Sequence, residues 1–488
     1  MSLDLLCINP GGTAGIYQHL GADLTAVEPP LWCRLIAGYV RDRGYTVRIL
    51  DAAALGLGPE EVARRVVEAR PKLVCVVVHG HQPSASTQTM PAAGAICRAI
   101  KAANRFLQIL IVGGHVAALS ERTLAEEAVD FACTGEGPVT VVGVLEGLLS
   151  NGRVGDDVPG LAWREGKTAS APLIADLDAD LHGNTWDLLP MGKYRAHNWH
   201  ANFSGARQPY ASIMTSLDCP FSCHFCCISA PFGRKHLYRM RAPASVVAEV
   251  NYLAKMHGVR LFKIVDEMFV LNPKHYVAIC EGLAVLPFAS ELNIWAYARV
   301  DTVKAGHLPL LRRAGFRWLA LGIESGSAHV RDGADKHYSD DDIRAVVREI
   351  QAAGINVIGN YIFGLPDDDM DSMQRTLALA KELNTEFANF YSAMAYPGSP
   401  LYDQAVANHS ELPKGWSGYS QHSTDTFPMA TATLSSADVL RFRDAAFTDY
   451  FTDARYLDMI GEKFGAGARA QIEQMTARQL DRALLRAA

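Results

Sequence analysis

Short apolar runs alternate with amphipathic stretches along the first third of the chain. The runs Asp4–Ile8, Thr46–Leu50, Leu73–Val78, Ile109–Val112 and Phe131–Cys133 have the length and continuous apolarity of strands buried on both faces. Between them, Leu31–Arg43, Glu60–Ala69, Met90–Ala103 and Ser120–Ala128 carry apolar residues at helical spacing. This order predicts a parallel sheet covered by helices over residues 1–150. Residues 151–205 read as a connector, with Gly160–Arg164 and Ala171–Ile174 flanking Glu165-Gly166 as a hairpin and Asn184–Pro190 as a loop on the next domain. The alternation resumes over residues 206–400, with strands expected at Ser212–Thr215, Leu261–Val265, Asn293–Ala298, Trp318–Leu321, Asn356–Phe363 and Phe387–Ala393. Helices are expected at Ala244–Met256, His275–Leu286, Leu308–Ala314, Asp341–Ala353 and Met373–Leu383. Six such units predict a partial barrel, because a full one needs eight. Residues 401–488 read as largely helical, with amphipathic stretches at Ser436–Phe451 and Ala468–Leu485.

Composition adds mainly exclusions. The net charge of −6 is spread over 488 residues without a basic block, which argues against nucleic acid and an anionic membrane as partners. Met1–Gly12 lacks the basic start and apolar core of a signal peptide, and no apolar run approaches the ~20 residues of a membrane span. A cytoplasmic protein is expected, so the ten cysteines should not pair as disulfides. Most, such as Cys7 and Cys75, sit singly in apolar runs and read as small buried hydrophobes.

The exception is Leu217-Asp218-Cys219-Pro220-Phe221-Ser222-Cys223-His224-Phe225-Cys226-Cys227, which follows the first expected strand of the barrel. Cys219, Cys223 and Cys226 have the spacing C-x3-C-x2-C. A tight loop can aim three thiolates at one iron–sulfur cluster, leaving one iron open. A zinc site completed by Cys227, His224 or His236 is the alternative, but zinc motifs usually pair two half-sites and no second pair is present. A redox C-x-x-C reading lacks a thioredoxin-like context.

In this setting the loop resembles that of the radical S-adenosylmethionine (SAM) superfamily. The resemblance implies a [4Fe-4S] cluster on the three cysteines, with Phe225 packing beside the adenine of SAM. It implies further SAM contacts at the strand ends: Asp266 and Glu267, Arg299, and Glu324 with Ser325. Asn360-Tyr361-Ile362-Phe363-Gly364-Leu365-Pro366-Asp367 resembles the family's G-x-I-x-G-x-x-E and implies Ile362 and Gly364 near the adenine, with Asn360 and Asp367 departing from the pattern.

The first domain resembles the cobalamin-binding domain that precedes many radical SAM domains. The matching pieces are Pro29-Pro30-Leu31-Trp32, Gly113-Gly114-His115, and Val129-Asp130-Phe131 running into Gly135-Glu136-Gly137. No G-x-G-x-x-G follows the first strand, which counts against a dinucleotide. The resemblance implies His79, His81, Gln82 and Ser84 beneath the corrin, with His79 and His81 as alternative cobalt ligands, and Gly113, Gly114, Gly135 and Glu136 near the nucleotide tail. The D-x-H-x-x-G motif of other cobalamin proteins is absent.

The fold class read here is α/β: a Rossmann-like cobalamin-binding domain, a partial (βα)6 radical SAM barrel and a helical C-terminal tail. The family implies a cobalamin-dependent methyltransferase in which one SAM methylates cobalt and a second yields the radical that activates a small-molecule carbon or phosphorus. A flavodoxin or ferredoxin would supply electrons. A cyclase or oxidative rearrangement enzyme with the same cofactors is the alternative, and a non-catalytic cobalamin sensor or carrier is the alternative of another class. Cys227 reads as a buried cysteine rather than a catalytic thiol. His200–Arg207, Cys227–Arg241 and Trp416–Asp425 are candidate substrate-pocket segments.

Overall fold

The structure, a computed structural model, describes every residue except 1, 2, 22, 23, 81–84, 204 and 488. Strands β1 (Leu5–Asn9), β2 (Val47–Asp51), β3 (Leu73–Val78), β4 (Gln108–Gly113) and β5 (Phe131–Cys133) pair in parallel in the order β2-β1-β3-β4-β5. Apolar side chains leave these strands on both faces and enter two separate cores, as the continuous runs require. The chain direction along the sheet reverses between β1 and β3, the place where open α/β sheets leave a crevice at their strand ends.

Two further strands, β6 (Leu161–Trp163) and β7 (Gly166–Lys167), extend the sheet in antiparallel fashion. The expected second arm, Ala171–Ile174, is not a strand. Thr168 closes the hairpin early by donating its hydroxyl to the Val158 carbonyl, and the Ile174 N–H turns away to the Glu136 carboxylate.

The barrel strands are β8 (Tyr210–Ile213), β11 (Leu261–Ile264), β12 (Asn293–Arg299), β13 (Phe316–Glu324), β14 (Asn356–Phe363) and β15 (Phe387–Ser392), parallel and in sequence order. A small hairpin of β9 (Ser216–Leu217) and β10 (Arg239–Met240) follows β8 and holds the cysteine loop as its long connection. β13 outruns the expected Trp318–Leu321, ending in a bulge where Glu324 takes φ 66°.

In the tail, the expected helix Ala468–Leu485 is two helices, Ala466–Thr476 and Ala483–Ala487. The break seats the buried Arg482 on Asp444, the Thr426 hydroxyl and the Ser423 and Gln421 carbonyls. A further helix, Ala454–Phe464, was not expected from the pattern.

The domains are joined by buried charge. Arg34 of the first domain donates to Glu249 on the barrel helix Pro243–Met256 (2.8 Å) and to the Gly183 carbonyl of the connector (2.8 Å). Arg241 and the Trp186 indole donate to the same carboxylate at 2.6 and 3.0 Å. Glu28 and Lys263 form a second buried pair across the same boundary.

Candidate functional site

One buried carboxylate shapes the cysteine loop. Asp218, at φ 70°, accepts from the Cys219 N–H (2.7 Å) and from the Leu237 N–H (3.0 Å), tying both ends of the loop together. The Cys226 N–H donates to the Cys223 carbonyl, and the His236 ring meets the Phe221 carbonyl. Cys219 and Cys227 are buried, and Cys223 and Cys226 half-buried.

Burial pushes the Cys219 thiol up to about 12 and raises that of Cys226 as well. Neither ionises at neutral pH unaided, so the charge of a bound metal centre would have to draw the protons off. Among the described residues no three His, Cys, Asp or Glu side chains gather about a single ion position. Three cysteine thiolates from one loop are the donor set of an iron–sulfur cubane, one sulfur to each of three irons.

The strand-end residues divide into two groups. Asp266 is engaged by the end of the first barrel strand: its carboxylate accepts from the Thr215 N–H (2.6 Å), the Thr215 hydroxyl and the Ser216 hydroxyl (2.6 Å), fastening β11 to the end of β8. Glu267 next to it has no hydrogen-bond partner among the described residues and lies within electrostatic reach of Cys219, Cys226 and Cys227. Burial pushes its carboxyl up to about 8. Ser325 is buried, bonded to Thr376 and to the Ser327 N–H. Glu324 pairs with Lys336 at 3.0 Å, and the Tyr338 hydroxyl donates to the Gly322 carbonyl beside them. Arg299 donates to the Cys223 sulfur at 3.6 Å and forks onto Asp301.

Phe225 packs with Ile362, Leu365, Val330, Ala334 and Ala393 into a small apolar cluster. Gly364 follows at φ 81°, where a Cβ would lie 2.5 Å from Val439 Cγ1. The N–H groups of Gly364 and Leu365 donate to Asp368, the residue after the Asp367 that departs from the family pattern, and burial pushes the Asp368 carboxyl up to about 6.

In the first domain, His79 follows β3 directly and stacks on Trp32, ring centroids 4.3 Å apart. Its Nε2 is buried without a hydrogen-bond partner among the described residues, and burial lowers its pKa to about 3, so a neutral ring nitrogen is on offer to a ligand. Gly113 has no room for a side chain: a Cβ would come within 2.7 Å of the Val78 carbonyl carbon and closer still to its oxygen. Gly114 and Gly135 are roomier, with nearest neighbours at 3.7 Å. Glu136 is engaged elsewhere, paired with Arg239 and accepting from the Ile174 N–H, so it clamps the domains rather than facing the crevice. His81, Gln82 and Ser84 lie outside the described residues.

Two cavities meet at these strand ends. A cavity of about 940 Å³ is lined by Asn9–Gly11 and His79 of the first domain, by Lys263, Trp295, Tyr297 and Tyr391 inside the barrel, and by Gln421, His422 and Arg443 of the tail. A smaller one of about 60 Å³ lies between His79, Gly114 and Trp32 on one side and Asp218, Cys227 and Glu267 on the other. Of the expected pocket segments, Cys227–Arg241 and Trp416–Asp425 each contribute lining residues. Among the described residues His200–Arg207 contributes none to these two, although His197–Trp199 just before it does. Cys227 is buried, its thiol pushed up to about 12.

The pattern of the chain did not single out Lys336, Asp301 or the Trp32–His79 stack. Lys336 sits in an irregular segment with no periodicity, and nothing local marks it.

A B12-binding sheet feeding a radical SAM barrel is the class of protein these features define. Residues 17–145 match the family model "B12 binding domain" and residues 213–380 the "Radical SAM superfamily" model. The chain thus carries a B12-binding domain followed by a radical SAM domain, the pairing found in cobalamin-dependent radical SAM enzymes. It is similar to an uncharacterised methyltransferase of Pyrococcus horikoshii (28% identity over 422 residues, 86% of each chain). It is also similar to the anaerobic magnesium-protoporphyrin IX monomethyl ester cyclase of Cereibacter sphaeroides (25% over 401 residues, 80% of this chain and 62% of the relative). Among solved structures, the radical SAM methyltransferase TsrM from Kitasatospora setae shares the fold with a TM-score of 0.70 at 16% identity, covering 98% of this chain and 99% of its own. Among the described residues no helix is long and apolar enough to cross a membrane.

Proposed function

We propose that this enzyme transfers a methyl group to a carbon or phosphorus atom of a small-molecule substrate held in the larger cavity. One observation carries the reading: Leu31, Trp32, His79 and Gly80 line both cavities. The strand ends of the first domain therefore overlook the cysteine loop on one side and a substrate-sized space on the other. Relatives named as methyltransferases and methylases, including a hopanoid C-3 methylase of Methylococcus capsulatus, support the same reading.

Cys219, Cys223 and Cys226 would hold the cluster, and His79, Gly80, Gly113 and Gly114 would border the corrin. When bound, the cluster supplies the electron that cleaves SAM and the cobalamin supplies a carrier for the methyl group. The chain's own residues bind and shield. The Phe225–Ile362 surface offers an apolar seat for adenine. Glu267, free of hydrogen-bond partners among the described residues, offers an acceptor to the methionine ammonium. The aromatic walls Trp199, Trp295 and Tyr297 keep water from the reacting atoms. Residues 1–150 are read as the corrin-holding part, 151–205 as the connector, 206–400 as the radical barrel and 401–488 as its cover. Its unpaired cysteines and oxygen-sensitive cluster suit a reducing cytoplasm, with a flavodoxin or ferredoxin as electron donor.

The test is product analysis of the anaerobically reconstituted protein with SAM, a strong reductant and candidate small-molecule acceptors. The reading expects both 5′-deoxyadenosine and S-adenosylhomocysteine, with an acceptor gaining one methyl group in mass. Deoxyadenosine with an acceptor that loses hydrogen and gains no methyl would replace it with the cyclase reading. No SAM cleavage under reduction would favour a cobalamin carrier.

A further inference from the structure

We infer that Arg299 acts on the cluster, raising its reduction potential through the Cys223 sulfur. The guanidinium is held on three sides. Its Nε and Nη2 donate to Asp301 at 2.9 and 3.0 Å, its face lies on the Phe221 ring at 3.9 Å, and its Nη1 donates to Cys223 Sγ at 3.6 Å. Arg299 is 5% exposed and closes the rigid strand β12, so this contact is built in rather than an excursion of a mobile side chain.

The surrounding charges are uneven. Glu267, beside Cys219, Cys226 and Cys227, is pushed up to about 8 by burial and is largely uncharged at neutral pH, so it does not offset a cation at this loop. Lys336, the other cation near Cys223, is neutralised by the buried Glu324 at 3.0 Å. The counter-ion of Arg299 is different: the Asp301 side chain is 41% exposed and screened by water. Arg299 therefore imposes the net positive field at the Cys223 corner.

Reduction adds one electron from an external low-potential donor to the cluster and so one negative charge. A fixed buried cation with an N–H on a ligand sulfur stabilises the reduced state more than the oxidised one, and the potential rises. Arg299 is thus a positioning residue for the electron, and Asp301 fixes its orientation.

This inference rests on the cluster reading above, and the test separates the two. The full-length protein is reconstituted anaerobically, its iron counted, and the cluster titrated potentiometrically by electron paramagnetic resonance without SAM or substrate. Arg299→Gln is expected to lower the reduced-to-oxidised ratio at a fixed potential about tenfold, which is about 59 mV for one electron. Asp301→Asn is expected to raise that ratio, by less, because it removes a negative charge and leaves the cation. Opposite signs cannot arise from simple loosening of the loop, which would move both variants the same way. Shifts in the same direction, or an unmoved potential in Arg299→Gln with four irons per chain, would overturn the assignment. If Arg299→Gln loses its iron, Asp301→Asn decides alone, a rise upholding the inference and no rise sinking it. A wild-type chain without cluster iron would overturn the underlying reading and this inference with it.

Discussion

Replacing Glu249 by glutamine removes a buried charge on which both domains and the connector converge. Its carboxylate accepts from Arg34 at 2.8 Å, Arg241 at 2.6 Å and Trp186 at 3.0 Å, and the side chains of Arg34, Arg241 and Glu249 are 1%, 4% and 3% exposed. Glutamine keeps the shape but turns an amide N–H2 toward one guanidinium, leaving two buried cations without their shared counter-charge. Burial already pulls the Arg34 pKa down to about 10, which still leaves it protonated at neutral pH, so deprotonation cannot relieve the loss. Orphaning a buried ion costs about 3–5 kcal/mol. Asp178, 3.6 Å from the Arg241 Nε, remains as a partial partner, which puts the expectation at the lower end, about 3 kcal/mol. The exposed pair Arg41–Asp187, 36% and 61% exposed, supplies the control: Asp187→Asn should cost under about 1 kcal/mol. Urea unfolding of the full chain, followed by tryptophan fluorescence and fitted to its first transition, measures both. A Glu249→Gln shift no larger than that of Asp187→Asn would refute the reasoning.

Other outcomes follow from the same geometry. Gly113→Ala should abolish corrin retention and lower the thermal midpoint, because the added methyl strikes the β3 backbone beside His79. Gly114→Ala, with its nearest neighbour at 3.7 Å, should leave the midpoint unchanged, and equal behaviour of the two would contradict the packing argument. His79, His115, His200 and His422 are held by burial near about 3, and His197 near about 4. The unfolded chain takes up these protons near pH 6.5, so stability present in full above that value is lost as pH falls toward 4. Each histidine contributes about 1.4 kcal/mol per pH unit at most. Burial raises the carboxyls of Glu267 and Asp368, to about 8 and about 6, and those of Glu127, Asp218 and Asp266, which oppose the trend, whereas carboxyls held down by their hydrogen-bond partners, such as Glu121, Glu382 and Asp438, add to it. A urea midpoint for the apoprotein that stays flat between pH 6.5 and 4.5 would contradict this.

The alternation of buried runs and amphipathic helices was legible because a doubly covered parallel strand must be apolar throughout: Leu73–Val78, Phe131–Cys133 and Asn356–Phe363 were read to the residue. The cysteine loop was legible because its spacing is local. What could not be read depends on contacts distant in sequence or on a shift of one residue. Asp266 and Glu267 differ only in which way the chain turns after β11, and Asp367 and Asp368 only by one step past Gly364. Glu324 meets Lys336 because of a bulge, and Arg482 breaks an otherwise good amphipathic helix to reach Asp444.

A cluster and a corrin on the two sides of the His79–Trp32 wall would both load onto a single chain. Iron, sulfide and cobalt are counted in the protein reconstituted anaerobically with iron, sulfide and hydroxocobalamin, beside Cys223→Ala treated identically. Four irons and one corrin per wild-type chain are expected, and a variant that loses the cluster absorbance while keeping its corrin. A cluster that survives Cys223→Ala unchanged, or a wild-type chain that retains no corrin, would contradict this placement.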